Sequence, residues 1–296
     1  MTETPERQPK NPFTGRLAFV GSGVMAEAMI KAILRKGLAR PEQIVASGPR
    51  PERGAELRER YGITPETNNV AAVQDADIVV LSVKPQVLPK VLPELRGHIK
   101  PDAVVVSIVA GAPIGFIQEG LGHRAVIRTM PNTPAQIGQG MTVWMATPEV
   151  TPQQREWVES LLLAMGEAVR VDDEVMLDMA TAVSGTGPTY VFLVMEAMTD
   201  AAVHLGFSRR VALKLVEQTV LGSVLYAMQS GLHLAELRNQ VTSPGGTSAD
   251  AIYQLEKGGL RTVLSKAIWA AYQKSRALGQ MQWPPEAPER QGGSSK

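Results

Sequence analysis

Along the first half of the chain, apolar residues come in short β-branched runs separated by amphipathic stretches. The runs RLAFV (Arg16–Val20), QIVAS (Gln43–Ser47), DIVVLSV (Asp77–Val83), AVVVSIV (Ala103–Val109) and RAVIRTM (Arg124–Met130) read as buried strands. After the first of them, VMAEAMIKAILRKG carries Ala26, Met29, Ile30, Ile33 and Leu34 on one helical face and stops at Gly37. Strand, helix and strand in repetition predict a parallel sheet covered on both faces by helices. The segments Met141–Ala146 and Glu167–Val171 extend that sheet.

The pattern changes near Asp172, where strand signals stop and long helical periods take over. GPTYVFLVMEAMTDAAVHLG begins with Pro188 in a helix first turn and ends at Gly206. Ser208 is placed to cap a helix running through RRVALKLVEQTVLGSVLYAMQ to Gly231. The shorter pieces LAELRNQ, ADAIYQLEK and RTVLSKAIWAAYQKSRALG follow. Their apolar faces are wider than one small core demands, which points to burial against another subunit. The expected architecture is an α/β Rossmann-type dinucleotide-binding domain followed by an all-α domain. The expected boundaries are a disordered N-terminal tail at 1–14, the nucleotide domain at 15–171, the helical domain at 172–279 and a disordered tail at 280–296.

Composition narrows the function. A chain of 296 residues, 44% hydrophobic and 20% charged, can bury a core and suits two domains of ordinary size. A formal net charge of +1 gives no electrostatic case for nucleic acid or for an anionic membrane. The absence of cysteine excludes disulfides and thiolate chemistry and fits a cytoplasmic protein. The N-terminal stretch lacks the apolar core of a signal peptide, and the longest apolar run, broken by Gly111, Pro113 and Gly115, is too short to span a bilayer.

The segment GSGVMA follows a strand directly and opens a helix, matching the Gly-x-Gly-x-x-Ala form of the dinucleotide fingerprint. Gly21 permits the tight turn, Gly23 lets the backbone approach a diphosphate, and Ala26 allows close contact between helix and sheet. The helix N-terminus supplies N–H donors and the positive end of a dipole. The second strand ends in Ser47, Arg50 and Arg53, with no acid before Glu52, so a 2′-phosphate is better matched than a bare ribose. NADPH is therefore the favoured cofactor, with NADH as the second candidate.

The remaining chemistry is defined by scarcity. His98, His123, His204 and His233 are scattered and read as surface or packing residues. No HExxH, GxSxG or carboxylate cluster points to a metal or to acyl transfer. Reduction of an imine tolerates this poverty, because a protonated imine is already electrophilic and has only to be held against a nicotinamide away from water. Such a substrate still needs an anchor for any second charge. SPGGTS offers clustered N–H groups and the hydroxyls of Ser243, Thr247 and Ser248, although the same residues also suit an ordinary helix cap. A hydroxyacid dehydrogenase would require a lysine at a helix mouth, whereas Lys214, Lys257, Lys266 and Lys274 all fall within helical patterns. A non-catalytic nucleotide sensor would need no second anion loop.

Several segments in order, GSGVMAEAMI, SVKPQVL, SIVAGAPI, RTMPNTPAQIGQGMT, AVSGTGPTYVFLVMEAMTDAAVHLG and LRNQVTSPGGTSADAIYQLEKGGLR, make the chain from Leu17 to Gly279 strongly resemble the pyrroline-5-carboxylate reductases. That resemblance implies reduction of 1-pyrroline-5-carboxylate to L-proline by NAD(P)H. It implies that Gly21, Ser22, Gly23, Val24, Met25 and Ala26 line the cofactor phosphates, that Ser47 and Arg50 meet the adenosine phosphate and that Asn69 meets the ribose. Val83, Lys84, Pro85, Ala110 and Gly111 would flank the nicotinamide. Ser243, Gly245, Gly246, Thr247 and Ser248 would hold the substrate carboxylate, with Thr186 and Ser248 as the candidate catalytic residues and Thr186 ordering a water that relays protons. The family commonly has threonine at Ser248 and serine at Thr186; both exchanges keep the hydroxyl. Interlocked homodimers through the C-terminal helices, often assembled into decamers, are implied as well.

Overall fold

A computed structural model describes residues 13–282, the last three by backbone alone, so the tails expected at 1–14 and 280–296 lie almost wholly outside the described residues. The chain begins with β1 (Leu17–Val20), α1 (Val24–Arg35), β2 (Ile44–Ser47), α2 (Pro51–Tyr61), β3 (Thr64–Glu66), α3 (Asn69–Val73), β4 (Ile78–Leu81) and α4 (Leu88–Leu95). It continues through β5 (Val104–Ser107), α5 (Ile114–Leu121), β6 (Val126–Met130), β7 (Gly140–Ala146), α6 (Pro152–Leu163), β8 (Gly166–Arg170) and α7 (Val175–Ala180). A five-residue π turn, Thr181–Gly185, then leads into α8 (Gly187–His204), α9 (Arg209–Ser230), α10 (Leu234–Gln240), α11 (Thr247–Lys257) and α12 (Leu260–Gln282).

The strands form one sheet in the order β3-β2-β1-β4-β5-β6-β7-β8, parallel throughout except where β6 meets β7. Every residue of β1, β2, β4 and β5 is buried, which is why these segments read as unbroken apolar runs. Alternate side chains serve opposite faces. Leu17 and Phe19 pack with Met29, Ile30 and Ile33 of α1, while Ala18 and Val20 pack with Leu88 and Leu92 of α4. Strand order reverses between β1 and β4, so the crevice outside their C-terminal ends is the expected place for a ligand in this architecture.

Two details differ from the sequence reading. β3 carries no apolar run and contains Pro65, yet it pairs with β2 alone, and at a sheet edge a missing N–H leaves no ladder bond unmade. Ser208 does occupy the N-cap of α9, in extended backbone, but its side chain makes no capping hydrogen bond.

By compactness, one unit runs to Gly185 and resumes at Tyr272, and a second comprises Thr186–Ala271. The second unit consists of helices joined by loops, with Pro188 in the first turn of α8 as expected. α9 is long and apolar enough to cross a membrane by length and composition. In the single chain, Phe192 and Leu193 of α8 and Leu221, Val224, Tyr226 and Met228 of α9 are exposed. So broad an apolar surface on two neighbouring helices is the mark of an interface.

Candidate active site

The loop after β1 is held from behind through its carbonyls. Ser82 donates its hydroxyl to the Gly21 carbonyl at 2.7 Å, Arg53 Nε donates to the Ser22 carbonyl at 3.1 Å, and the Gly23 carbonyl accepts the first helical bond of α1, from the Glu27 N–H. The N–H groups of Ser22, Gly23, Val24 and Met25 find no acceptor among the described residues. Gly21 has a φ of +106°, and a Cβ there would stand 2.7 Å from the Ser82 carbonyl oxygen. Gly23 is the opposite case: a Cβ built on it meets nothing within 4 Å, which leaves the room a diphosphate needs. Ala26 is wholly buried against the sheet, where any longer side chain would lift α1 away. These features fit a dinucleotide.

Beyond this loop lies a cavity of about 200 Å³ lined by Ser22, Gly48, Arg50, Gly54, Glu66 and Thr67, among others. Arg50 is exposed on its wall and forms no ion pair among the described residues, so its guanidinium is available to an anion. Ser47 is wholly buried, and its hydroxyl donates to Asn69 Oδ1 at 2.7 Å. Its contribution in this structure is to orient Asn69, whose amide nitrogen donates in turn to Glu94 Oε2 at 3.0 Å. The sequence gives no sign of that Ser47–Asn69–Glu94 chain, because its members come from three separate elements.

Arg53, grouped in the sequence with Ser47 and Arg50 as suited to a 2′-phosphate, is instead engaged by protein partners. Its side chain is 15% exposed; besides the Ser22 carbonyl it contacts Glu56 at 2.9 Å and Glu27 closely. Glu27, in the first turn of α1, also accepts from Arg60 at 3.1 Å and from the Tyr61 hydroxyl at 2.9 Å. Burial alone would raise the pKa of this carboxyl, but the bonds from Arg53, Tyr61 and Arg60 outweigh it and hold the pKa below the ordinary value.

At the other end of the crevice, Val83, Lys84 and Pro85 follow β4, and Ala110 and Gly111 follow β5. Lys84 is exposed at the start of a short 3₁₀ turn, Pro85–Val87. Gly111 has a φ of +72°, and its carbonyl oxygen comes within 3.2 Å of where a Cβ on Gly279 would lie, so the end of α12 packs against this loop. Behind it, Arg128 of β6 is 6% exposed and bridges Glu174 at 2.7 Å and Asp178 at 3.3 Å. Glu174 also accepts from the Ile114 N–H at the start of α5, at 2.8 Å, and Asp178 accepts from Ser275 of α12, at 2.9 Å. This network too was hidden in the sequence, where an arginine in a strand gives no hint of its partners.

In the helical unit, the loop Ser243–Gly246 leads into α11. Gly245 has a φ of +71°, and the Gly246 N–H closes a turn onto the Ser243 carbonyl at 3.0 Å. Gly246 is itself the N-cap, and no side chain caps the helix. The hydroxyls of Ser243, Thr247 and Ser248 make no hydrogen bond among the described residues. A capping hydroxyl, the alternative that the sequence left open, is therefore not what this cluster provides. Thr186 stands half-buried at the N-cap of α8, directly after the π turn, and its carbonyl accepts from the Thr189 N–H at 2.9 Å. A π turn is often found where a helix is bent to present a functional group.

Comparison with known proteins matches both halves. Residues 16–111 fit the family model described as NADP oxidoreductase coenzyme F420-dependent, and residues 174–278 fit that for pyrroline-5-carboxylate reductase dimerisation. The chain is 43% identical to pyrroline-5-carboxylate reductase of Pseudomonas aeruginosa over 268 residues, 90% of this chain and 98% of the relative. Its fold is similar to that of pyrroline-5-carboxylate reductase from Coxiella burnetii, with a TM-score of 0.84 and 34% identity over 90% of this chain and 99% of the other. The Plasmodium falciparum pyrroline carboxylate reductase structure, which has NADP bound, follows at a TM-score of 0.82 and 30% identity, covering 90% of this chain and 98% of that one. Relatives this similar over nine-tenths of the sequence place the chain in the pyrroline-5-carboxylate reductase family.

Proposed function

We propose that the two halves of this chain share the reduction of 1-pyrroline-5-carboxylate to L-proline, the last step of proline biosynthesis, in the cytoplasm. Residues 15–171 hold the cofactor, NADPH in preference to NADH, and residues 172–279 hold the substrate and pair the subunits, with the dimers assembling further into a decamer. Bound at the crevice, the reduced nicotinamide supplies the hydride. The free N–H groups from Ser22 to Met25 hold its diphosphate, Arg50 meets the 2′-phosphate, and Ser47 steadies Asn69 for the ribose. Val83, Lys84, Pro85, Ala110 and Gly111 flank the nicotinamide and keep water from it.

The observation that carries the substrate assignment is the uncapped start of α11. The Ala249 N–H is taken by the Gly246 carbonyl, but the N–H groups of Thr247 and Ser248 and the hydroxyls of Ser243, Thr247 and Ser248 have no partner among the described residues, so this cluster keeps hydrogen-bonding capacity for a ligand. A helix N-terminus of this kind holds an anion, and the carboxylate is the anionic group that the imine substrate offers. Ser243, Gly245, Gly246, Thr247 and Ser248 accordingly bind the carboxylate of the imine. Thr186 borders the ring and orders a water for proton relay.

The test is to follow oxidation of NADPH and of NADH with the five-membered imine acid and with its six-membered analogue. Turnover of the five-membered ring at the higher kcat/KM is expected; no turnover of either ring overturns the reading. Ser248→Ala should raise the KM for the imine about tenfold, the worth of roughly 1.5 kcal/mol from one hydrogen bond to a charged group. Cofactor affinity should hardly move, and loss of cofactor binding with an unchanged imine KM would remove the loop from the substrate site. Arg50→Ala should weaken NADPH about tenfold and leave NADH nearly untouched; equal losses would show that this guanidinium does not meet the 2′-phosphate.

A further inference from the structure

We propose that Arg53 is a positioning residue for the cofactor loop, acting equally on NADPH and NADH and taking no part in reading the 2′-phosphate. The inference rests on the reading of Gly21–Ala26 as the diphosphate site. Its substance lies in how the guanidinium is spent. Nε holds the Ser22 carbonyl, one terminal nitrogen holds Glu56 at 2.9 Å and the other holds Glu27. A guanidinium is planar and donates in a fixed fork, so these three partners fix both the position and the plane of the group. At 15% exposure, turning toward a phosphate would mean abandoning all of them.

Each contact serves the loop in a different way. The bond to Ser22 pulls a carbonyl inward between two glycines, which leaves the adjoining N–H groups facing the ligand. The bond to Glu27 solves an electrostatic conflict. A carboxylate in the first turn of α1 is favoured by the helix dipole, but it competes for that same positive end with the diphosphate the loop must bind. With Arg53 and Arg60 on Glu27 and the Tyr61 hydroxyl completing its shell, the carboxylate is neutralised from the protein side. Arg60 is 58% exposed and screened by water, so the larger share falls to Arg53. Glu56, four residues from Arg60 on α2, completes the fork from outside.

The experiment titrates NADPH and NADH, by quenching of protein fluorescence, against wild type, Arg53→Met, Arg50→Met and the double variant Glu27→Gln, Arg53→Met. Urea unfolding of each follows stability. Arg53→Met should weaken both cofactors about tenfold with their affinity ratio unchanged within a factor of two, and the imine KM should stay constant. Arg50→Met should change the ratio. Adding Glu27→Gln should recover part of the lost affinity for both cofactors, which a mere loss of packing would not allow. If Arg53→Met does not fold, Arg53→Lys carries the test: it keeps the charge on Glu27, and a loss of affinity equal for both cofactors but smaller than tenfold is expected. Selective loss of NADPH, or no loss of either, overturns the proposal. Failure of wild type to bind either dinucleotide would instead overturn the reading on which it rests.

Discussion

Replacing Gly21 with alanine is expected to weaken NADPH and NADH together by about 100-fold, which corresponds to roughly 3 kcal/mol. Two costs add. An L-residue at a φ of +106° is strained, by about 1–3 kcal/mol for sparsely populated backbone. The new Cβ would also stand 2.7–2.8 Å from the backbone of Ser82 and Val83, atoms that cannot swing aside as a side-chain end can. Relief requires the loops after β1 and β4 to separate. That would break the Ser82 hydroxyl bond to the Gly21 carbonyl and disturb the Gly21 N–H bond to Ser47. Gly23→Ala is the control: with open space around its Cβ it should leave the urea midpoint unmoved while still weakening the cofactor, because the methyl fills space meant for ligand. Fluorescence titration of both variants decides the matter. A Gly21→Ala protein binding NADPH within threefold of wild type would show that the loop does not depend on this turn.

The readability of the fold followed from burial. Strands covered on both faces must be apolar at every position, so β1, β2, β4 and β5 announced themselves as runs. β3 had no such obligation at the sheet edge, and its proline argued against a strand. The tight turn after β1 was legible for a related reason: its requirement falls on local backbone, which only particular residues at particular spacings satisfy. Ion pairs obey no such rule. Arg50 and Arg53 look alike in sequence, yet α2 begins between them and carries Arg53 back over α1 to Glu27, while Arg50 stays on the cavity wall. Ser47 shows the same ambiguity. A hydroxyl at a strand end can face ligand or core, and here the strand register turns it inward to Asn69. At SPGGTS the residues alone permitted a side-chain cap, and whether one forms depends on which residue ends up at the N-cap. That residue is Gly246, which has no side chain to offer.

Arg128→Met is expected to lower stability by about 2–3 kcal/mol, near the lower end of the cost of stripping one partner from a buried ion pair. The guanidinium is 6% exposed, but the side chains of Glu174 and Asp178 are 32% and 20% exposed, so water recovers part of the charge left behind. Methionine keeps the apolar length of the side chain, so the loss measures the ion pairs more than a cavity. Once the arginine is gone, two carboxylates one helical turn apart repel each other. For a unit of this size the thermal midpoint should fall by about 5–10 °C at fixed protomer concentration. Adding Asp178→Asn should return part of that loss, because it removes the repulsion while an amide oxygen can still accept from Ser275. The functional consequence is local. Glu174 also holds the Ile114 N–H three residues beyond Gly111, and Asp178 ties down Ser275 one turn before Gly279, so both anchors of the Ala110–Gly111 loop loosen together. kcat should therefore drop several-fold more than cofactor affinity, since the loop after β1 shares none of these contacts. A midpoint within about 1 °C of wild type, measured by calorimetry, would mean that the Arg128 network is not what holds α7 and the end of α12 against the sheet.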